Sequence, residues 1–134
     1  MKSARWMNVA VEGVTDGSVV GRILRDHGVG MAQVSGLRGK GHLDLRLPAY
    51  NNAARFSDWL VVRDLDQDAD CAATLVRAKL RAPSKGMRFR VAVRSIEAWL
   101  LADAEGMTTF FQVRNHEVPH DPEALRDPKV ALVD

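Results

Sequence analysis

The sequence predicts an α/β fold, a largely parallel sheet of about four strands flanked by helices, built as a single domain over residues 1–134. Three observations predict it. Trp6–Val11 and Trp59–Arg63 are short apolar runs with the length and β-branched content of buried strands. Met87–Val93 alternates Met87, Phe89, Val91 and Val93 with Arg88, Arg90 and Ala92, the period of a strand with two unlike faces. A segment of helical spacing follows each of these runs, and strand–helix alternation is the pattern of a parallel sheet covered by helices.

Taken in order, Trp6–Val11 ends at Glu12-Gly13, and Thr15 or Asp16 is placed to cap the first helix. Ser18–His27 carries Val19, Val20, Ile23 and Leu24 on one helical face, and Gly28 and Gly30 stop it. Met31–Val34 reads as a short strand. Ser35–Asn52, with Gly36, Gly39, Gly41 and Pro48 among basic residues, reads as a long loop entering a short helix near Ala49–Phe56. Trp59–Arg63 runs into Asp64-Leu65-Asp66-Gln67-Asp68-Ala69-Asp70. Cys71–Leu80 reads as a helix, broken by Pro83 and Gly86. Ser95 caps a helix over Ile96–Asp103, and a further short helix is expected at Met107–Phe111. From Val113 to Pro122 the chain reads as loop. Asp121-Pro122 and Asp127-Pro128 each resemble a cap followed by proline at the first helical position. The second start has only six residues after Pro128, which reads as a trimmed end or one completed by a partner.

Composition narrows the function classes. No apolar run approaches the roughly 20 residues that cross a bilayer. Met1-Lys2-Ser3-Ala4-Arg5 begins like a charged signal region, but Glu12 interrupts the apolar stretch and no small-residue cleavage site follows. The expectation is a cytoplasmic protein with no membrane partner. A single cysteine, Cys71, excludes an internal disulfide and a cysteine-based zinc site, and reads as a small helix residue. The net charge of +2 is uninformative, but its distribution is not. Four aspartates fall between Asp64 and Asp70, and seven basic residues with no acidic one lie between Cys71 and Ile96. An acidic cluster beside a basic stretch suits a metal ion next to a phosphate-bearing ligand.

In parallel sheets ligands bind at the carboxyl ends of the strands, and the acidic residues fall there. Glu12 closes the first strand, Asp64 and Asp66 close another, and Glu97 opens the helix after Met87–Val93. Asp64 and Asp66 share a side if extended geometry persists, and Asp68 and Asp70 fall in the following turn. If the three strands are neighbours, these carboxylates converge and repel, and a hard divalent cation removes that cost. Two such ions about 4 Å apart support in-line phosphodiester cleavage.

Val11-Glu12-Gly13-Val14-Thr15-Asp16 resembles the first motif of Toprim domains, in which a strand delivers a glutamate before a glycine turn. Asp64-Leu65-Asp66 resembles their D-x-D motif. Ile96-Glu97-Ala98-Trp99-Leu100-Leu101-Ala102-Asp103 resembles the acidic motif of bacterial Toprim-like proteins close to the OLD (overcoming lysogenization defect) family nucleases. The resemblance spans about residues 6 to 112. It implies a Toprim or Rossmann-like sheet, a Mg²⁺ or Mn²⁺ cofactor, phosphodiester chemistry on nucleic acid, and an AAA- or ABC-type ATPase as a partner. By this resemblance Glu12, Asp64, Asp66 and Glu97 are the catalytic set. The metal ligands are Glu12, Asp16, Asp64, Asp66, Asp68 and Glu97. OLD-type nucleases carry a downstream lysine with no clear counterpart here, since Lys85 is early and Lys129 late.

The basic residues then have a role. Arg88, Arg90 and Arg94 lie on the strand leading to Glu97, and Arg94 is placed to hold a phosphate. Lys40 and His42, in the glycine-rich segment, reach for the same place; Gly39-Lys40-Gly41-His42 lacks the P-loop pattern. His27, His116 and His120 show no ligand spacing, and Tyr50, Trp6, Trp59 and Trp99 read as core. The leading expectation is a metal-dependent nuclease. The alternative is a non-catalytic Toprim-like module that binds nucleic acid or docks on an ATPase. A third reading, a haloacid-dehalogenase phosphatase with Asp64 as nucleophile, wants Thr or Val where this chain has Asp68. Apolar Leu132-Val133 would let two chains pair.

Overall fold

A computed structural model describes residues 4–103 and 121–122. Its four strands, β1 (Arg5–Val11), β2 (Val29–Gly36), β3 (Trp59–Asp64) and β4 (Met87–Ala92), alternate with α1 (Val14–Asp26), α2 (Gly39–Ala53), α3 (Ala72–Lys79) and α4 (Ile96–Ala102). All strand pairs are parallel, in the order β2-β1-β3-β4. This is the α/β, Rossmann-like arrangement that the alternation predicts. The helix expected at Met107–Phe111, the loop from Val113, the Asp127-Pro128 start, His116, His120, Lys129 and Leu132-Val133 lie outside the described residues.

Strand alternation divides the core into two layers. Val9 and Val11 of β1 and Val62 of β3 meet Val20 and Leu24 of α1 and Ile96 of α4 on one face. Ala10, Trp59, Val61, Met87 and Phe89 meet Leu43, Leu47 and Tyr50 of α2 on the other, with Val76 of α3 against them. Side chains of period 2 therefore meet helix stripes of period 3.6 on both sides of one sheet. Tyr50 and Trp59 stack in the second layer with ring centroids 5.1 Å apart. Trp6 and Trp99 are exposed rather than core. Trp6 instead lies over Gly30, where an added Cβ would come within 2.4 Å of its ring.

Three local expectations change. Helix α1 starts at Val14, four residues before the expected Ser18, with Gly13 rather than Thr15 or Asp16 at the N-cap, so Asp16 sits in the first turn. The expected Ser35–Asn52 loop is the end of β2 followed by α2. Leu43, Leu47 and Tyr50 form a stripe at i, i+4 and i+7, and their burial outweighs Gly39, Gly41 and the interior Pro48. Cys71 is the exposed N-cap of α3, not a residue inside it. At α4 the expectation holds, for Ser95 accepts a hydrogen bond from the Ala98 N–H at 3.3 Å.

Candidate metal centre

Because β1, β3 and β4 are neighbours, their carboxyl ends lie side by side. Asp64 ends β3 with the same alternation as Leu60 and Val62, so its side chain falls on the α1 and α4 face. There it meets the first turns of both helices. Oxygen atoms of Asp16, Asp64 and Glu97 lie within 4.8 Å of one another. Asp16 is only 7% exposed and Glu97 6%. Asp64 is fixed by its Oδ1, which accepts the Ile96 N–H at 3.0 Å and so ties the strand end to the start of α4. Glu12, just past β1, accepts the Asp64 backbone N–H.

Three carboxylates at this spacing repel by roughly 3 kcal/mol per pair at an effective dielectric near 20. Burial, together with the charges of Glu12 and Asp16, pushes the Asp64 carboxyl up to about 8, against the Ile96 hydrogen bond. Burial also raises Glu12, partly offset by its hydrogen bond from Asp64. An all-oxygen, acid-rich and buried donor set of this kind fits a hard divalent cation, whose charge removes both the repulsion and the need for the proton. The centre can therefore hold a metal ion through Asp16, Asp64 and Glu97.

Asp66, Asp68 and Asp44 are already paired with protein cations. Asp66 follows the strand end with a φ of 47°, which turns its side chain away from the Asp64 face. Lys40 Nζ, in the first turn of α2, reaches Asp66 at 3.2 Å and Asp68 at 2.9 Å. Lys40 holds Asp68 below the usual carboxylate range, with Arg63 adding to this against burial. Arg63, 3% exposed on the opposite face of β3, donates to both carboxylate oxygens of Asp44 at 2.7 and 2.9 Å. Its Nη1 also reaches Asp68 at 2.9 Å and the Asp64 carbonyl at 2.7 Å. Lys79 completes the set at 3.1 Å from Asp44.

The sequence-derived residues thus separate into groups. Asp16, Asp64 and Glu97 come together, with Glu12 bound to the Asp64 backbone. Asp66 and Asp68 join Lys40 instead, and Asp70 is exposed. His42 is half-buried on α2, and its Nδ1 has no hydrogen-bond partner among the described residues. Arg94 Nη1 donates to the Asp66 carbonyl at 2.7 Å, while the Arg94 carbonyl accepts the Asp66 N–H at 2.8 Å. Arg94 thereby fixes the loop after β3 against the loop after β4. Arg88 and Arg90 lie exposed on edge strand β4, with Arg88 near its amino end, away from the carboxylates.

Sequence reasoning missed Asp44 and the partner role of Arg63. The signal was present in Trp59–Arg63, where one arginine closes an otherwise apolar strand, since a buried arginine demands a carboxylate. Comparison with family models, curated proteins and solved structures finds no match for the chain. The functional reading therefore rests on this geometry.

Proposed function

We propose that the chain is a Toprim-like nuclease that hydrolyses phosphodiester bonds of DNA or RNA with Mg²⁺ or Mn²⁺. The observation that carries this reading is the buried Asp16–Asp64–Glu97 triad at the carboxyl edge of a parallel sheet. When bound, the cation supplies Lewis-acid polarisation of the phosphodiester and activates water for attack. Asp16, Asp64 and Glu97 would hold it. Glu12, whose carboxyl is raised by burial and accepts the Asp64 N–H, is the group suited to give or take a proton. Lys40 sits beside the same edge with its ammonium on Asp66 and Asp68, and is placed to meet negative charge developing on a phosphate. Arg94 keeps the Asp66 loop in place. One metal ion with a nearby lysine suits these side chains better than two ions, because Lys40 already occupies the carboxylates a second ion would need.

The test is cleavage of plasmid DNA, single-stranded DNA and tRNA in Mg²⁺, Mn²⁺ and chelator, with Asp64→Asn and Glu12→Gln beside the wild type. The expected result is metal-dependent cutting that falls at least a hundredfold in both variants. Calorimetry with Mn²⁺ separates the remaining cases. Binding without cutting would replace the nuclease by a nucleic-acid-binding or ATPase-docking module. No binding would remove the metal centre as well.

A further inference from the structure

The amino end of the sheet carries a pocket that the acidic centre does not use. The chain leaves α2, turns through Ala54–Asp58 and enters β3, while Gly86 leads into β4. These two entries are stitched together, for Gly86 N–H donates to the Ala54 carbonyl at 2.9 Å and Trp59 N–H to the Gly86 carbonyl at 2.9 Å. A Cβ on Gly86 would lie 2.2 Å from the Ser57 carbonyl oxygen, so the two backbones touch directly. The result is a firmly held floor for a cavity of about 500 Å³ lined by Arg55, Phe56, Asp58, Lys85 and Arg88 among others.

Its chemistry is cationic and aromatic. Asp58 is the one carboxylate lining it, and Arg5 pairs with that group at 3.6 Å. Lys85 makes no ion pair among the described residues. Arg88 stays exposed although its Nη1 donates to the Lys85 and Met87 carbonyls at 3.3 and 3.0 Å. Phe56 is 81% exposed, and the Arg55 guanidinium lies 5.4 Å from its ring centroid. An open ring among cations suits a stacked base with its phosphates. An acidic peptide would use the cations and leave the ring idle, and a duplex keeps its bases stacked internally.

Strand alternation links this pocket to the acidic edge. Arg88 and Arg90 share a face with Ala92, and their partners across β3 are Leu60 and Val62, on the side where Asp64 points. From Met87 to Ala92 the strand covers about 17 Å, the span of several nucleotides. We infer that the amino-end pocket is a second site, one that binds single-stranded nucleic acid with a base on Phe56 and phosphates on Arg55, Lys85 and Arg88, and that Arg90 continues the track toward Asp64. The direction of the track rests on the nuclease reading of the acidic centre. The pocket itself does not.

The test is fluorescence anisotropy of labelled oligothymidylate and oligouridylate on the full chain, in chelator so that cleavage plays no part. Duplex DNA and polyglutamate serve as competitors. Phe56→Ala is expected to weaken binding about tenfold. Lys85→Ala is expected to weaken it and lower the slope of log affinity against log salt by about one. Binding is read in chelator, so a failed nuclease reading would leave this result untouched. Both altered pocket side chains are exposed, and melting temperatures check that each variant folds. The inference is overturned if the wild type binds no single strand, if Phe56→Ala and Lys85→Ala bind like wild type, or if polyglutamate or duplex competes as well as the single strand.

Discussion

Asp64 is the residue at which fold and chemistry meet. Its Oδ1 closes the start of α4 through the Ile96 N–H, while its other neighbours are the carboxylates of Glu12, Asp16 and Glu97. In the metal-free fold its pKa of about 8 stands above the value of 3.8 expected in the unfolded chain. The folded state therefore binds a proton that the unfolded state releases, and stability is full below about pH 4 and is lost as pH rises toward 8. Asp64→Asn keeps the acceptor for Ile96 and adds a donor toward the acids. In chelator the variant should match wild type near pH 4 and exceed it by about 1–3 kcal/mol at pH 9, a range discounted for partial exposure. Urea titrations across that pH range measure it, and an unchanged difference would show that the carboxylates do not share one pocket. Arg63 is the opposite case, since its charge is buried with two aspartates that hold it.

At the scale of elements, α2 shows how a packed stripe overrides local signals. Gly39, Gly41 and Pro48 argue against a helix, and an interior proline costs about 3 kcal/mol relative to alanine. Leu43, Leu47 and Tyr50 nevertheless bury against β1 and β3, and Asp44 on the same helix reaches Arg63. Pro48 is exposed, so its ring contributes little packing. Pro48→Ala should raise stability by about 1–2 kcal/mol, less than the full propensity difference because the unfolded chain also gains freedom. Denaturant melts of the two chains decide it, and a loss of stability would mean that α2 depends on the proline for its position. Lys40, His42 and Asp44 owe their placement to this helix and could not be positioned while the segment read as loop.

For the whole molecule, the sheet brings acids from α1, β3 and α4 to one edge, so a bound cation links parts of the chain far apart in sequence. Such a ligand stabilises the fold by mass action, about 2.7 kcal/mol at a hundred times its dissociation constant. Mn²⁺ should raise the melting temperature of the wild type and leave Asp64→Asn unmoved. Because the ion displaces the Asp64 proton, its apparent affinity should climb up to tenfold per pH unit until about pH 8 and then level. Calorimetry at several pH values checks this, and a flat profile would place the ion elsewhere. Among the described residues no helix is long and apolar enough to cross a membrane.

The sequence by itself determined the parallel α/β plan, the strands at Trp6–Val11, Trp59–Arg63 and Met87–Val93, the Ser95 cap, and the presence of Glu12 and Asp64 at strand ends and of Glu97 at the start of α4. These are local properties, because hydrophobic period and capping are written within a few consecutive residues. Only the tertiary structure decided which carboxylates belong together. Asp16 joins Asp64 and Glu97 because α1 starts at Val14 and turns it inward, while Asp66 and Asp68 leave the group for Lys40 and Arg63. That division depends on pairings between residues 26 and 28 positions apart, and on the side of β3 to which each side chain points. Charge balance across a fold is set by distance in space, which spacing along the chain does not encode.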